Sequence, residues 1–228
     1  MNLNELKKSC PNIKFADEHY KIYDDFVPSL MFRDDLEILH PDEYRGQPTV
    51  KLVCSQHPII TEIRDFSDEE LKTFERLQRK YKNEWIEFLN REKLPLKEVD
   101  VCSAVDQNVF DALCNQESIE VLRIKWLKCK QINEIPRLKN LKKLFLSRAS
   151  SLKDISPLSK LEHLETLIIC ETTKITDYSS LADLKNLKVL GICMARTSYK
   201  TFIKADSIDF IKEMPSLEYV DLLDVRTN

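Results

Sequence analysis

The chemistry open to this chain depends first on four histidines and seven cysteines, the residues best suited to ligate a metal or attack a carbon centre. His40, Cys54 and His57, with Cys10 as a fourth member, carry the atom types that zinc takes. Cys54 and His57 form one loose pair, however, and the other two stand far off at irregular spacing. We therefore expect a buried thiol beside surface imidazoles and no metal site. Cys170 and Cys193, with Cys102, hold the same place in their coils and share one row on neighbouring strands, where they could be a thiol pair for redox or metal binding. With no histidine or basic neighbour in the pattern to lower a thiol pKa, we expect small packing residues instead. The acidic runs Asp24-Asp25, Asp34-Asp35 and Asp68-Glu69-Glu70 read as solvated faces and helix starts. The chain has only two glycines, Gly46 and Gly191, which argues against phosphate loops and dinucleotide fingerprints. No nucleophile elbow or HExxH helix is present. The expectation is a protein with no catalytic residues, no cofactor and no enzymatic activity.

Hydrophobic residues make up 43% of the 228 positions, enough for a core, and the formal net charge is −3. That charge gives no general attraction to nucleic acid or to an anionic membrane. The N-terminus lacks an apolar leader and no apolar run is long enough to span a bilayer. Scattered cysteines in an odd number fit reduced thiols in a cytoplasmic protein.

The elements that must position these residues repeat. Leu141-Lys-Lys-Leu144-Phe-Leu146, Leu164-Glu-Thr-Leu167-Ile-Ile169 and Leu187-Lys-Val-Leu190-Gly-Ile192 all read LxxLxL, with starts 23 residues apart. Ile119-Glu-Val-Leu122-Arg-Ile124 starts 22 residues earlier, and Leu96-Lys-Glu-Val99-Asp-Val101 another 23. Leu217-Glu-Tyr-Val220-Asp-Leu222 follows after 30, so one repeat carries an insertion, placed at Arg196 to Ser207. Nine, six and three residues before each start lies a second apolar ladder: Ile132, Ile135 and Leu138, for example, or Ile155, Leu158 and Leu161. Across the five repeats from Ile119 on, 29 of 30 such positions are apolar, Gln116 being the exception, against the 43% background. The motif puts apolar side chains inward from a short strand, and the ladder of threes fits a 3₁₀-like return. One coil cannot bury its own apolar side, so coils must stack into a solenoid with a parallel sheet on its concave face.

The segment Leu141-KKLFLSRASSLKDISPLSKLEH-Leu164-ETLII resembles the bacterial internalin-type leucine-rich repeats, whose return segment reads DIxPLxxLxx. Asp154-Ile155-Ser156-Pro157-Leu158 matches it, and Thr176-Asp177-Tyr178-Ser179-Ser180-Leu181 is a looser copy. The family's asparagine after the strand is missing, its places being held by Leu127, Ala149, Thr172 and Ala195. The resemblance implies an α/β leucine-rich-repeat solenoid of about six coils over residues 94–228, and it implies a protein-binding scaffold.

Residues 67–93 read as a capping helix. Ser67-Asp-Glu-Glu70 is a capping box with Phe66 and Leu71 as its staple, and Leu71, Phe74, Leu77, Tyr81, Trp85 and Phe88 share a face. Residues 1–66 form an unclassified α/β region in which Thr49–Cys54 and Ile59–Ile63 look like strands. On the concave face the outward positions hold Arg123, Lys125, Trp126, Phe145, Arg148, Ile168, Glu171, Met194 and Tyr219. Exposed aromatic and apolar residues rimmed by arginine are what interface centres look like, so these nine are the expected partner-binding residues. The expected occupant is another protein, with a homodimer or cover by the chain's own N-terminal region or insertion as the other readings. An alternative function is the recognition arm of a small effector, toxin or immunity protein whose N-terminal region carries a separate activity.

Overall fold

The repeated motif becomes strand wherever it occurs. The computed structural model describes residues 2–16, 35–54, 67–194 and 202–227. Its elements in chain order are α1 (Leu3–Ser9), β1 (Lys14–Phe15), β2 (Ile38–Leu39), β3 (Thr49–Leu52), α2 (Asp68–Arg91), β4 (Glu98–Val105), α3 (Gln107–Cys114), β5 (Val121–Leu127) and β6 (Lys143–Leu146). They continue with β7 (Thr166–Cys170), β8 (Val189–Cys193), β9 (Ile203–Ala205), β10 (Tyr219–Asp221) and β11 (Val225–Thr227). Nine strands form one parallel sheet in the order β1-β10-β8-β7-β6-β5-β4-β3-β2, while β9 and β11, flanking the last coil, pair as a separate two-stranded sheet. Equivalent repeat positions face one another across it, as in Leu122↔Leu144, Leu144↔Leu167 and Leu167↔Leu190.

The return segments are α3 in the first complete coil and 3₁₀ turns in the later ones: Ile135–Arg137, Ser156–Lys160, Ser179–Asp183 and Asp209–Glu213. The Asp of the DIxPL motif has a local task. Asp154 accepts the backbone N–H of Ser156 at 2.8 Å, and Asp177 that of Ser179 at 2.9 Å, which opens each turn. In the last coil Ser207 Oγ does the same for Asp209 N at 3.0 Å. Every ladder position from Phe110 to Leu222 is buried, so all six sites per coil feed one continuous core.

The polar exception, Gln116, is buried too, and it ties the solenoid to α2. Its amide nitrogen donates to the carbonyls of Leu89 (2.5 Å) and Glu92 (2.9 Å), and its amide oxygen accepts from Leu94 N (2.8 Å). Those carbonyls belong to the unsatisfied C-terminal end of α2, so one side chain caps the helix and sets where the first coil begins. At the other end of α2 the Ser67/Glu70 capping box is present. Trp85 and Leu89 are buried and Tyr81 and Phe88 half-buried, with α2 packed against α3. The sheet continues past the first coil into β3 and β2, and β1 pairs beyond β10. Residues before Leu96 therefore supply both edges of the sheet. The expected strand at 59–63 and the staple residue Phe66 lie outside the described residues.

Without the asparagine after the strand, the turns are satisfied by neighbouring backbone. Leu127 N donates to Ser147 O (3.0 Å), Ala149 N to Cys170 O (3.0 Å) and Glu171 N to Cys193 O (2.9 Å). Buried Thr172 Oγ1 shares a hydrogen bond of 2.7 Å with Tyr178 Oη. Side chains bridge coils at the opposite strand end instead: Ser118 Oγ to Leu94 O, Asn140 Nδ2 to Glu117 O and Asn186 Nδ2 to Glu162 O.

The second residue of each LxxLxL carries a further coupling. It reads Lys97, Glu120, Lys142, Glu165, Lys188 and Glu218, alternating in sign from coil to coil. Glu120 is held between Lys97 (2.8 Å) and Lys142 (2.7 Å), and Glu165 pairs with Lys188 (3.0 Å). Hydrogen bonds from Lys142 and then Lys97 lower the Glu120 carboxyl from its usual 4.5 to about 2. Pairs this exposed contribute modestly to stability, but a one-coil slip would set like charges together.

Two outcomes follow. Replacing Gln116 by Leu leaves the buried Leu89 carbonyl, the part-buried Glu92 carbonyl and the buried Leu94 N–H without this partner, and should cost about 2–3 kcal/mol in urea unfolding. Because folding depresses the Glu120 pKa, its contribution is complete above about pH 4.5 and lost as pH falls toward 2. The stability gap between wild type and Glu120→Gln, followed by denaturant midpoint, should therefore be full at pH 7 and close over that acid window.

Candidate binding surface

The sheet's outward face can be followed strand by strand. In register across it run Lys51, Asp100, Arg123, Phe145, Ile168, Gly191 and Asp221. Two residues earlier lies the parallel row Val121, Lys143, Thr166, Val189 and Tyr219. Gly191 is needed for space: a Cβ there would meet the Ile168 side chain at 3.2 Å. Ile168 leans across the coil boundary into the room that the glycine leaves.

The expectation that this face stands exposed is corrected by the structure. Ile168 is 0% exposed, Tyr219 6%, Phe145 8%, Val189 8% and Met194 8%. Phe145, Ile168, Cys170, Val189, Cys193 and Tyr219 form a second hydrophobic cluster with Ala16, the residue that follows β1. Arg123, expected on the rim, is 1% exposed. Its guanidinium donates to Glu98 at 2.6 Å and to Asp100 at 2.5 Å. Glu98 and Asp100 hold the same two outward positions one coil earlier, so register alone delivers both carboxylates to Arg123. Burying a cation is costly unless carboxylates pair with it, which makes this arginine part of the sheet.

A different row remains accessible. The eighth residue of the repeat, at the C-terminal ends of the strands, reads Trp126, Arg148, Glu171 and Met194. Arg148 is exposed, Trp126 and Glu171 are half-buried, and Lys125 beside them is exposed. The Lys125 ammonium lies 4.9 Å from the centre of the Trp126 ring, within cation–π range. Arg148 and Glu171 both hold left-handed backbone, with φ of 52° and 62°. Glycine adopts that region without strain; a residue with a Cβ does not. Of the nine expected partner-binding residues, the structure thus groups Lys125, Trp126, Arg148 and Glu171 along one border. It sets Arg123, Phe145, Ile168 and Tyr219 inside, with Met194 buried at the border's end. The backbone signature of the border was not visible in the sequence, because nothing in an arginine or a glutamate announces a positive φ.

The candidate metal residues separate. Cys54 is in the core with its backbone N–H on Ser103 Oγ at 2.9 Å, and burial followed by the charge of Asp106 pushes its thiol up to about 12. His57 lies outside the described residues. His40 packs on Tyr81 with ring centres 4.8 Å apart, at a cleft of about 540 Å³ between the Pro41–Glu43 turn and α2. Burial also raises Cys129 to about 12 and Cys114 higher still. Among the described residues no three ligating side chains gather, and no described helix is long and apolar enough to cross a membrane.

One family of known proteins matches this architecture by sequence. The model of a family described as R13L1/DRL21 leucine-rich repeats matches residues 57–172, half of the chain. Among solved structures, an internalin (inlF) from Listeria monocytogenes is similar at 18% identity and TM-score 0.48, over 63% of this chain and 44% of that one. Internalin C2 (inlC2) from the same organism is similar at 24% identity and TM-score 0.43, over 64% of this chain and 67% of its own. The plant peptide hormone receptor RGFR1, in complex with RGF2, is similar at 16% identity and TM-score 0.39, over 63% and 30%. The chain thus spans less than half of the first of these. No curated protein matches the sequence.

The buried arginine gives a direct test of which residues are structural. Arg123→Met removes the cation from buried Asp100 and should destabilise the fold by about 3–5 kcal/mol. Lys125→Ala, two residues on and exposed, should stay within about 0.5 kcal/mol of wild type. Guanidinium unfolding of both variants checks the pair.

Proposed function

This chain belongs to the R13L1/DRL21 leucine-rich-repeat family, and on that premise we propose that it is a non-enzymatic scaffold that binds another protein along the border Lys125, Trp126, Arg148 and Glu171. The observation that carries the reading is the left-handed backbone of Arg148 and Glu171 in consecutive coils. Each costs about 1 kcal/mol relative to glycine. Strain kept at the same repeat position twice, with long charged side chains toward solvent, is the pattern of a recognition site. Trp126 and Arg148 are also the residue types that dominate interface energetics. Residence in the cytoplasm is part of the same proposal, supported by seven cysteines of which none is in a disulfide.

The test uses the opposite signs that the strain predicts. Arg148→Gly and Glu171→Gly should leave stability equal to wild type or raise it by up to about 1 kcal/mol each. The same variants, and Trp126→Ala, should lose a protein that the wild-type chain retains in pulldown. Light scattering of wild type and variants separates a foreign partner from a second copy of the chain. Glycine variants that keep every bound protein, while folding as well as wild type, would remove the border from consideration.

A further inference from the structure

Cys170 and Cys193 occupy the seventh position of consecutive coils and face each other in register on β7 and β8. Their sulfurs are 2.9 Å apart, both residues are buried, and both are reduced. Neighbouring parallel strands lie about 4.8 Å apart, within the Cα separation of about 4.4–6.8 Å that a disulfide spans. The other described cysteines have no such arrangement. Cys102 shares the row but is separated from the pair by the coils carrying Lys125 and Ser147. Cys54, Cys114 and Cys129 are buried thiols whose pKa values are pushed up by burial.

We propose that Cys170 and Cys193 form a redox modification site, closing to a reversible disulfide when the protein meets a peroxide. One thiolate attacks hydrogen peroxide, breaking the O–O bond to give a sulfenic acid and, with its proton, one water. The second thiol displaces the sulfenic oxygen, forming the S–S bond and releasing a second water. Two thiols are oxidised by two electrons and one peroxide is reduced to two waters. The neighbouring sulfur sits where it can intercept the sulfenic acid before further oxidation. With both groups buried, the reaction should proceed over minutes to hours. The product links two coils 23 residues apart in sequence and fixes the β7–β8 pairing. This site goes beyond the binding proposal and does not rest on it. A disulfide of this kind in a reducing compartment is transient and signals oxidation.

The experiment exposes the full folded chain to hydrogen peroxide, quenches it, denatures it with an alkylating agent, and counts free thiols. Peptide mass mapping then locates any bridge. The expected result is loss of two of the seven thiols, one crosslinked pair of peptides containing Cys170 and Cys193, and full recovery with dithiothreitol. The thermal midpoint should rise on oxidation in wild type and not in Cys170→Ser. All seven thiols surviving, or a bridge mapping to other cysteines or between two chains, would overturn the proposal. Mapping of wild type alone decides the matter if Cys170→Ser fails to fold.

Discussion

A coil of 22 or 23 residues has one apolar side and no means of burying it except against the next coil. That constraint governs the rest of the molecule. It requires every inward position to recur at the same place in each turn, which keeps leucines over leucines in the sheet and in the return segments. It also requires something at each end, since a terminal coil exposes what an inner coil hides. Here the sheet is extended rather than simply stopped. β3 and β2 lie beyond the first coil and β1 beyond the last, all drawn from the first third of the chain. Stability is then a sum of neighbour contacts, and the few polar residues that enter the stack matter out of proportion to their number.

Some of those polar residues act within one coil, as Thr172 does with Tyr178, but several bridge a coil to its neighbour. Gln116 joins the first return segment to the end of α2, Arg123 joins β5 to two carboxylates on β4, and Glu120 joins Lys97 to Lys142. Ser118, Asn140 and Asn186 do the same from the N-terminal side of their strands. Hydrophobic stacking is tolerant of register, because one leucine packs against another as well as against the next. Charge alternation and buried hydrogen bonds are not tolerant, so they select the register that the apolar ladder permits.

The same logic separates structure from recognition on the sheet face. Position five of the repeat, where an open solenoid would read its partner, is buried in every coil, and position three is buried from Thr166 onward and half-buried at Glu98, Val121 and Lys143. The eighth position lies where each strand turns away, and two consecutive coils hold left-handed backbone there beneath charged side chains. Directly before that border, the seventh position brings two thiols into contact. Successive positions of one repeat thus carry packing, a redox-capable pair and an accessible border within a few ångströms.

The sequence by itself determined the repeat, its register and the parallel sheet, because the 22–23-residue period forces equivalent residues into rows. It also contained the α2 capping box and the DIxPL turns, and it put Cys170 and Cys193 in one row on neighbouring strands, all of which follow from spacing. Gln116 stood out as the one polar residue in an apolar ladder, but its task depended on where α2 ends. What only the tertiary structure decided is which outward residues meet solvent. Periodicity assigns a side chain to a face; it does not say what lies over that face. Phe145, Ile168 and Tyr219 therefore looked like an interface and are buried, and Arg123 looked like its rim and is an internal ion pair. The left-handed turns at Arg148 and Glu171 were equally hidden, since a positive φ is imposed by the closing of the coil and not by the residue that bears it.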